Sequence, residues 1–401
     1  MGYSLDNPHG PSIFEPHAPS HEPPNHMNKR QSLLVLASVL CGQLVFAQDN
    51  VPADDWKPAS SNQPGKEFPQ VNSEGRVKFR IVAPEAKSVT VSFRDSSTFT
   101  KGEDGAWIGY TRPLDEGFHY YTINIDGAQV PDPNSMMFFG AMRWGSGVEL
   151  PARDQAFYAL RNVPHGQLRE LFFHSKSTDS MRRAFVYTPP GYDLSPDQRY
   201  PVLYLQHGWG ENEYGWGAQG CADLIMDNLI AEGGTKPFII VMIYGMTNET
   251  RMGGLRNFSI EPFETVLVKE LIPFIDANFR TLSDQPHRAM AGLSMGGMET
   301  KMITLKNPDM FSHIGLFSGG TIRPEDISDM TAFKESNKLV FVSYGSREVG
   351  GNRRGGDPKA AVDALKEAGV NCRYYVSPET AHEWQSWRRS LREFAPLLFN
   401  N

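Results

Sequence analysis

The chain has 401 residues, 40% of them hydrophobic, and a formal net charge of −7. That is apolar content for more than one core at the usual ~100–200 residues per domain. With 39 Lys and Arg against 46 Asp and Glu, there is no basic excess, so nucleic acid, anionic membrane surfaces and polyanionic substrates are excluded as expected partners.

Residues 1–26 are rich in Pro, His, Asn and Ser with little to build a core, and read as a disordered extension. Met27-Asn28-Lys29-Arg30 leads into an apolar run from Leu33 to Phe46, closed by Val45-Phe46-Ala47 before Gln48. A basic start, a short apolar stretch and a small-x-small site describe a signal peptide over residues 27–47, with translation starting at Met27 and a secreted or periplasmic product. The run is interrupted by Gly42 and Gln43 and falls short of the ~20 apolar residues of a membrane span. No stable membrane insertion is expected after cleavage. Cys41 lies in this leader, while Cys221 and Cys372 stand far apart and are expected to be buried free thiols.

Residues 48–72 carry Pro, Ser, Asn and Gln without apolar periodicity, which is linker composition. From Arg76 the pattern alternates: Val77, Phe79 and Ile81, then Val89, Val91 and Phe93, then Tyr121, Ile123 and Ile125. Turn signals at Glu103-Asp104-Gly105, Asp115-Glu116-Gly117 and Asp126-Gly127 separate the runs, predicting a small all-β sandwich over residues 73–158. The sequences Phe79-Arg80-Ile81-Val82-Ala83-Pro84, Asp104-Gly105-Ala106-Trp107, Tyr120-Tyr121 and Asp132-Pro133 resemble the early-set, immunoglobulin-like modules of carbohydrate-binding family 48. That resemblance implies either a glycan binder or a structural partner of an enzyme. Trp107 and Trp144 are the residues with which it would stack on a sugar, core packing being the expected role for both. The Pro- and aromatic-rich stretch from Pro131 to Pro151 is expected to pack across the following domain.

Residues 160–401 change texture. Leu168–Ser175 and Arg182–Thr188 suggest an antiparallel pair, followed by apolar runs at Val202–Leu205, Phe238–Ile243, Arg288–Ala291, Ile314–Phe317, Leu339–Val342 and Arg373–Val376. Helical stretches intervene at Phe263–Asn278, Met298–Lys306, Lys359–Ala368 and Trp384–Phe399. Strands alternating with helices predict a mostly parallel sheet covered on both faces, an α/β class chain whose strand count and order suit the α/β-hydrolase fold.

Gly292-Leu293-Ser294-Met295-Gly296 follows the apolar Ala289-Met290-Ala291 and precedes a helix, the context of a nucleophile elbow, in which a serine on a strained turn is exposed above the sheet. A serine hydroxyl is a weak nucleophile and needs a base held by a third group. The order in this fold is Ser, acid, His, and only His313 and His382 follow Ser294. His313 precedes a strand and reads as packed; His382, between the last strand and last helix, is the expected base. The acid belongs after the strand Leu339–Val342, where Glu348 is the first carboxylate and Asp357 the runner-up. Gln206-His207-Gly208-Trp209-Gly210 is the expected oxyanion loop, with the amides of Trp209 and Met295 as donors and Gly208 allowing close approach of substrate. His207 is expected to support that loop. Tyr214 and Trp216, in the aromatic, Gly-rich Tyr214-Gly215-Trp216-Gly217, and Trp384 beside His382 are candidate substrate contacts, with plain aromatic packing as the alternative.

The sequences Gln206–Gly210, Ala291–Gly297, Ser343–Glu348 and Ala381-His382-Glu383-Trp384-Gln385-Ser386-Trp387 resemble carbohydrate esterase family 1, most closely its feruloyl and acetyl xylan esterases. Enterochelin-type esterases of the same broader group also carry an early-set module. The resemblance implies a secreted serine esterase that removes feruloyl or acetyl groups from xylan side chains, without metal or organic cofactor. One departure is that the acid position, often Asp in relatives, holds Glu348. A siderophore esterase would use Arg251, Arg256, Arg353 and Arg354 to hold a ferric catecholate, and a noncatalytic glycan-binding protein is the reading from another class.

Overall fold

A computed structural model describes residues 54–93, 99–247, 259–350 and 356–400. The extension and leader expected at residues 1–47, and Arg251, Arg256, Arg353 and Arg354, lie outside the described residues.

Alternating apolar residues build the N-terminal sandwich from β1 (Lys57–Pro58), β2 (Gln70–Val71), β3 (Val77–Val82), β4 (Val89–Val91), β5 (Thr100–Lys101), β6 (Ala106–Tyr110), β7 (Gly117–Tyr121), β8 (Ile123–Ile125), β9 (Ala128–Val130), β10 (Met137–Gly140) and β11 (Arg143–Leu150). The sheet β1-β2-β3-β6-β5 faces the sheets β4-β8-β9 and β10-β11-β7. Val77, Phe79, Ile81, Val89, Trp107, Tyr121, Ile123 and Val148 fill the space between. Period-two side chains on one face of each strand require that arrangement.

Two expectations are corrected. Residues 54–72 are not linker: β1 pairs with β2 and β2 with β3, Ala59 and Val71 are buried, and the Glu149 N–H donates to Ser61 Oγ at 3.1 Å. Asn62 Nδ2 donates to the Pro69 carbonyl at 2.9 Å. The segment is held by polar side chains bonding backbone, which apolar periodicity does not register. Phe157 and Tyr158, assigned to the sandwich by sequence, pack with Ile225, Met226 and Leu229 of the following region.

That region adds β12 (Gln167–Ser175), β13 (Ser180–Thr188), β14 (Val202–Gln206), β15 (Ile239–Ile243), β16 (Arg288–Leu293), β17 (His313–Phe317), β18 (Leu339–Gly345) and β19 (Cys372–Ser377). Among the described residues they form one sheet in the order β12-β13-β15-β14-β16-β17-β18-β19. β13 is antiparallel to β12 and β15, and every pair from β15 onward is parallel. The helices are α1 (Ala222–Ala231), α2 (Glu261–Thr265), α3 (Ile272–Asn278), α4 (Met295–Lys306), α5 (Met330–Ser336), α6 (Pro358–Glu367) and α7 (Trp384–Phe394), with a π turn at Val266–Leu271 joining α2 to α3. The strands β14 to β18 are buried along their whole length, as a parallel sheet covered on both faces must be. Cys221 and Cys372 are free.

The two regions share a core. Phe118 of β7 and Phe138 of β10 belong to the same buried cluster as Trp216, Trp384, Trp387 and Phe394. Around it, Arg388 of α7 forms a two-pronged pair with Glu149 of β11 at 2.7 and 3.0 Å, and Arg389 grips Asp154 at 2.7 and 2.9 Å. The stretch Pro131–Pro151 thus packs across the following region as expected, doing so as the hairpin β10–β11.

Candidate active site

Ser294 sits between β16 and α4 at φ 52° and ψ −113°, a backbone conformation that costs a non-glycine residue on the order of 1–3 kcal/mol. The positions two residues to either side, Gly292 and Gly296, show why glycine stands there. A Cβ on Gly292 would lie 2.4 Å from the Gly296 backbone, and one on Gly296 would lie 2.6 Å from the His207 carbonyl. Any side chain there would push the strand, the helix and the β14 loop apart. α4 begins at Met295, directly after the serine, earlier than the apolar pattern indicated, so the Met295 N–H is among the first helical donors, which have no intrahelical partner.

His382 and Glu348 converge on this serine from two loops. His382 Nε2 lies 2.9 Å from Ser294 Oγ, and His382 Nδ1 lies 2.7 Å from Glu348 Oε1. The other carboxylate oxygen, Oε2, accepts from Ser318 Oγ at 2.6 Å and from the Gly345 N–H at 2.8 Å. Burial by itself pushes the Glu348 carboxyl up, but the bonds from His382, Ser318 and Gly345 outweigh it and hold the group below its usual value. Glu348 is therefore an anion at neutral pH. Trp387 packs edge-on to the imidazole at 5.0 Å and donates from Nε1 to Ser318 Oγ at 3.1 Å.

The loops that carry acid and base are stitched together by their backbones. The Arg347 N–H donates to the Thr380 carbonyl and the Ser346 N–H to the Ser377 carbonyl, at 2.9 and 2.8 Å. A Cβ on Gly345 would meet the Ala381 and Thr380 carbonyls at 2.6 Å, so glycine is what lets them close. Asp357 takes no part: it caps α6, accepting the Lys359 N–H at 2.9 Å.

On the opposite side of the serine, a Cβ on Gly208 would come within 3.4 Å of Ser294 Cβ, so the loop carrying Trp209 runs against the nucleophile. Trp209 itself is half-buried. Five bonds shape the loop. Gly208 N–H donates to Glu211 Oε2 at 3.1 Å, and Glu211 N–H to the Gly208 carbonyl at 3.2 Å. Trp216 Nε1 donates to the Gln206 carbonyl at 2.8 Å. The Gly245 N–H donates to His207 Nε2 at 3.0 Å, which leaves His207 Nδ1 to donate to the Gly208 carbonyl at 2.8 Å. Burial pushes His207 down to about 4, so the imidazole is neutral and supports the loop as the sequence indicated.

Two candidate substrate contacts are corrected. Trp216 and Trp384 are 1% and 2% exposed and pack edge to face at 5.4 Å; their size made them core, and their indole N–H groups are bonded to protein. Tyr214 is half-buried against Phe185 at 4.7 Å, with the Arg183 guanidinium over its ring at 4.5 Å. Trp144, 47% exposed, lies 5.2 Å from Tyr214, whereas Trp107 is buried in the sandwich. His313 is a packed histidine, accepting the Phe399 N–H at 3.3 Å.

Sequence reasoning missed Ser318, Trp387, Glu211 and Tyr120. Ser318 carried a weak signal, a small polar residue ahead of Gly319-Gly320 at a strand end, and it adopts φ +51°. A cavity of about 630 Å³ opens beside it, lined by Met298, Met302, Gly319, Tyr344 and Arg323.

Comparison with known proteins agrees with this geometry. The family described as putative esterase matches residues 175–351. A relative from Xylanibacter ruminicola, named endo-1,4-beta-xylanase/feruloyl esterase, is 51% identical over 363 residues, covering 88% of this chain and 49% of its own. Endo-1,4-beta-xylanase Y of Acetivibrio thermocellus is 24% identical over 54% of this chain and 22% of its own. The chain thus spans about half, or less, of the length of these relatives. Among solved structures, a family 1 ferulic acid esterase from Anaeromyces mucronatus, with ferulic acid bound, aligns at a TM-score of 0.53 and 20% identity, covering 62% of this chain and 96% of its own. An enterobactin esterase from Shigella flexneri aligns at 0.57 and 16% identity, covering 80% and 92%. These two establish the fold.

Proposed function

We propose that this chain, similar to the family described as putative esterase, is a carboxylic ester hydrolase that releases feruloyl groups from xylan side chains. The observation that carries the reading is the unbroken hydrogen-bonded series from Ser294 through His382 to Glu348. The substrate rests on the 51% identical relative whose name joins xylanase to feruloyl esterase.

Ser294 Oγ attacks the ester carbonyl as His382 Nε2 takes its proton, and anionic Glu348 holds Nδ1–H and stabilises the imidazolium that forms. The charge on the carbonyl oxygen falls between the N–H groups of Trp209 and Met295, the second aided by the α4 N-terminus. His382 returns the proton to the departing sugar hydroxyl, leaving a feruloyl-serine. Water, deprotonated by His382, then attacks this ester, and ferulate and the free serine result. The cavity beside Ser318 is the space we assign to part of the substrate. Export through a leader at residues 27–47 belongs to the same reading, and no helix among the described residues is long and apolar enough to cross a membrane.

Wild type and Ser294→Ala are to be compared on methyl ferulate, p-nitrophenyl acetate and an enterobactin-like trilactone. Turnover of methyl ferulate that disappears in Ser294→Ala is the expected result. Preference for the acetyl ester or the trilactone would replace the substrate, and inactivity on all three with tight binding to insoluble xylan would replace the enzyme by a glycan binder.

A further inference from the structure

We infer that Tyr120, on strand β7 of the sandwich, is a positioning residue for the oxyanion loop of the hydrolase, acting through Glu211. The inference rests on the serine esterase reading above.

The Tyr120 hydroxyl accepts from Gln219 Nε2 at 2.5 Å and from Trp384 Nε1 at 3.2 Å. A phenol has two lone pairs and one proton, so both acceptor positions are filled and its single O–H must donate. Two acceptors lie in reach, Glu211 Oε1 at 3.2 Å and the Phe139 carbonyl at 3.3 Å. The Phe139 carbonyl already receives Gln219 Nε2 at 2.8 Å, and the Glu211 carboxyl is the nearer of the two acceptors. We assign the proton to this nearer acceptor, Glu211, whose other oxygen receives the Gly208 N–H at 3.1 Å.

The result is a relay of side chains from the sandwich to the residue that packs against Ser294. Its ends are fixed. Gly140 on β10 is what lets the Tyr120 ring through, since a Cβ there would lie 2.4 Å from the ring. The hairpin turn adds a second brace, the Met142 N–H donating to the Gly210 carbonyl at 2.8 Å. Through Trp384 the same hydroxyl also touches the first residue of α7, two positions beyond His382. The sandwich thus acts on the hydrolase by holding the loop that must meet the developing oxyanion. Displacement of such a loop by even 1 Å costs up to about 100-fold in rate.

The test uses the full chain with Tyr120→Phe, which keeps the ring and removes the hydroxyl, and Glu211→Ala. Active sites are counted with a p-nitrophenyl phosphonate, and affinity is measured for a trifluoromethyl ketone, which forms the tetrahedral anion on the serine. Tyr120→Phe is expected to keep KM within about twofold while kcat per titrated site falls about 10- to 100-fold, with the ketone weakened by the same factor. The double variant is expected to be no worse than Glu211→Ala, because the two act along one path. Tyr121→Phe, which loses a hydroxyl bonded to Asp132 inside the sandwich, is expected to lower Tm and leave kcat and ketone affinity unchanged. Were Tyr120→Phe to lower only Tm or the active fraction, with kcat per site and ketone affinity intact, the positioning role would be overturned while Ser294→Ala still upheld the esterase. A wild type that hydrolyses no ester would overturn both.

Discussion

The two flanks of Ser294 are braced in different ways. On the acid and base flank, the loops after β18 and β19 hold each other: backbone bonds join them, and Ser318, Gly345 and His382 all converge on Glu348. On the oxyanion flank, the loop after β14 leans on another part of the chain, with Tyr120 and the β10–β11 turn reaching it from the sandwich. The acid and base flank is closed by its own backbone and meets the sandwich side through exposed ion pairs, Arg347 with Asp115 and Glu379 with Arg153, whereas the oxyanion flank borrows a buried hydroxyl from it. A module that looks like an appendage in sequence therefore touches the loop beside Ser294, and its removal is expected to damage catalysis as well as stability.

The sharpest test of the acid and base flank is Glu348→Ala beside Asp357→Ala. Loss of Glu348 is expected to lower kcat by about 10,000-fold, the scale on which a triad acid matters; near-normal turnover of Glu348→Ala would mean the imidazole is held by something else. At the border between the regions, Arg388→Ala removes a buried guanidinium from a partly buried Glu149 and is expected to cost up to about 3–5 kcal/mol in denaturant unfolding. A change inside 1 kcal/mol would show that the sandwich is docked by apolar contact alone.

The borrowed flank has a pH signature. Burial raises Glu211 to about 7, against the lowering effect of bonds from Gly208 and Tyr120 and of His382 nearby. An acid whose folded pKa is raised stabilises the fold fully below its unfolded pKa, and that stability is lost as pH climbs through the folded value, here up to about 3 kcal/mol between pH 4 and 8. Tm of wild type is expected to fall relative to Glu211→Gln across that window, and parallel curves would reject the buried acid. The smallest effect is Asp357→Ala, expected to lose the α6 cap at about 1 kcal/mol with kcat unchanged; a large kcat loss there would reassign the acid.

Much of this was legible in the residue pattern. Ser294 and His382 stood out because a nucleophile elbow needs small residues at fixed offsets and the base follows the last strand, both local constraints that leave marks in a short window. Alternation and buried runs marked every strand of the hydrolase sheet for the same reason. Trp216 and Trp384 were misplaced because an aromatic residue in a Gly-rich or catalytic loop has the same composition whether it faces substrate or core. Residues 54–72 were taken as linker because their order comes from polar side chains bonding distant backbone.

By itself, then, the sequence determined the class of fold and pointed to Ser294, His382 and a short choice of acids. Only the tertiary structure showed that Glu348 and not Asp357 is bonded to His382, since both follow the same strand and what separates them is which carboxylate the Gly345 turn aims at the imidazole. It alone also joined Tyr120 to Glu211 across 91 positions. A hydrogen bond between two side chains that distant depends on how two sheets dock, and no local pattern of residues encodes that contact.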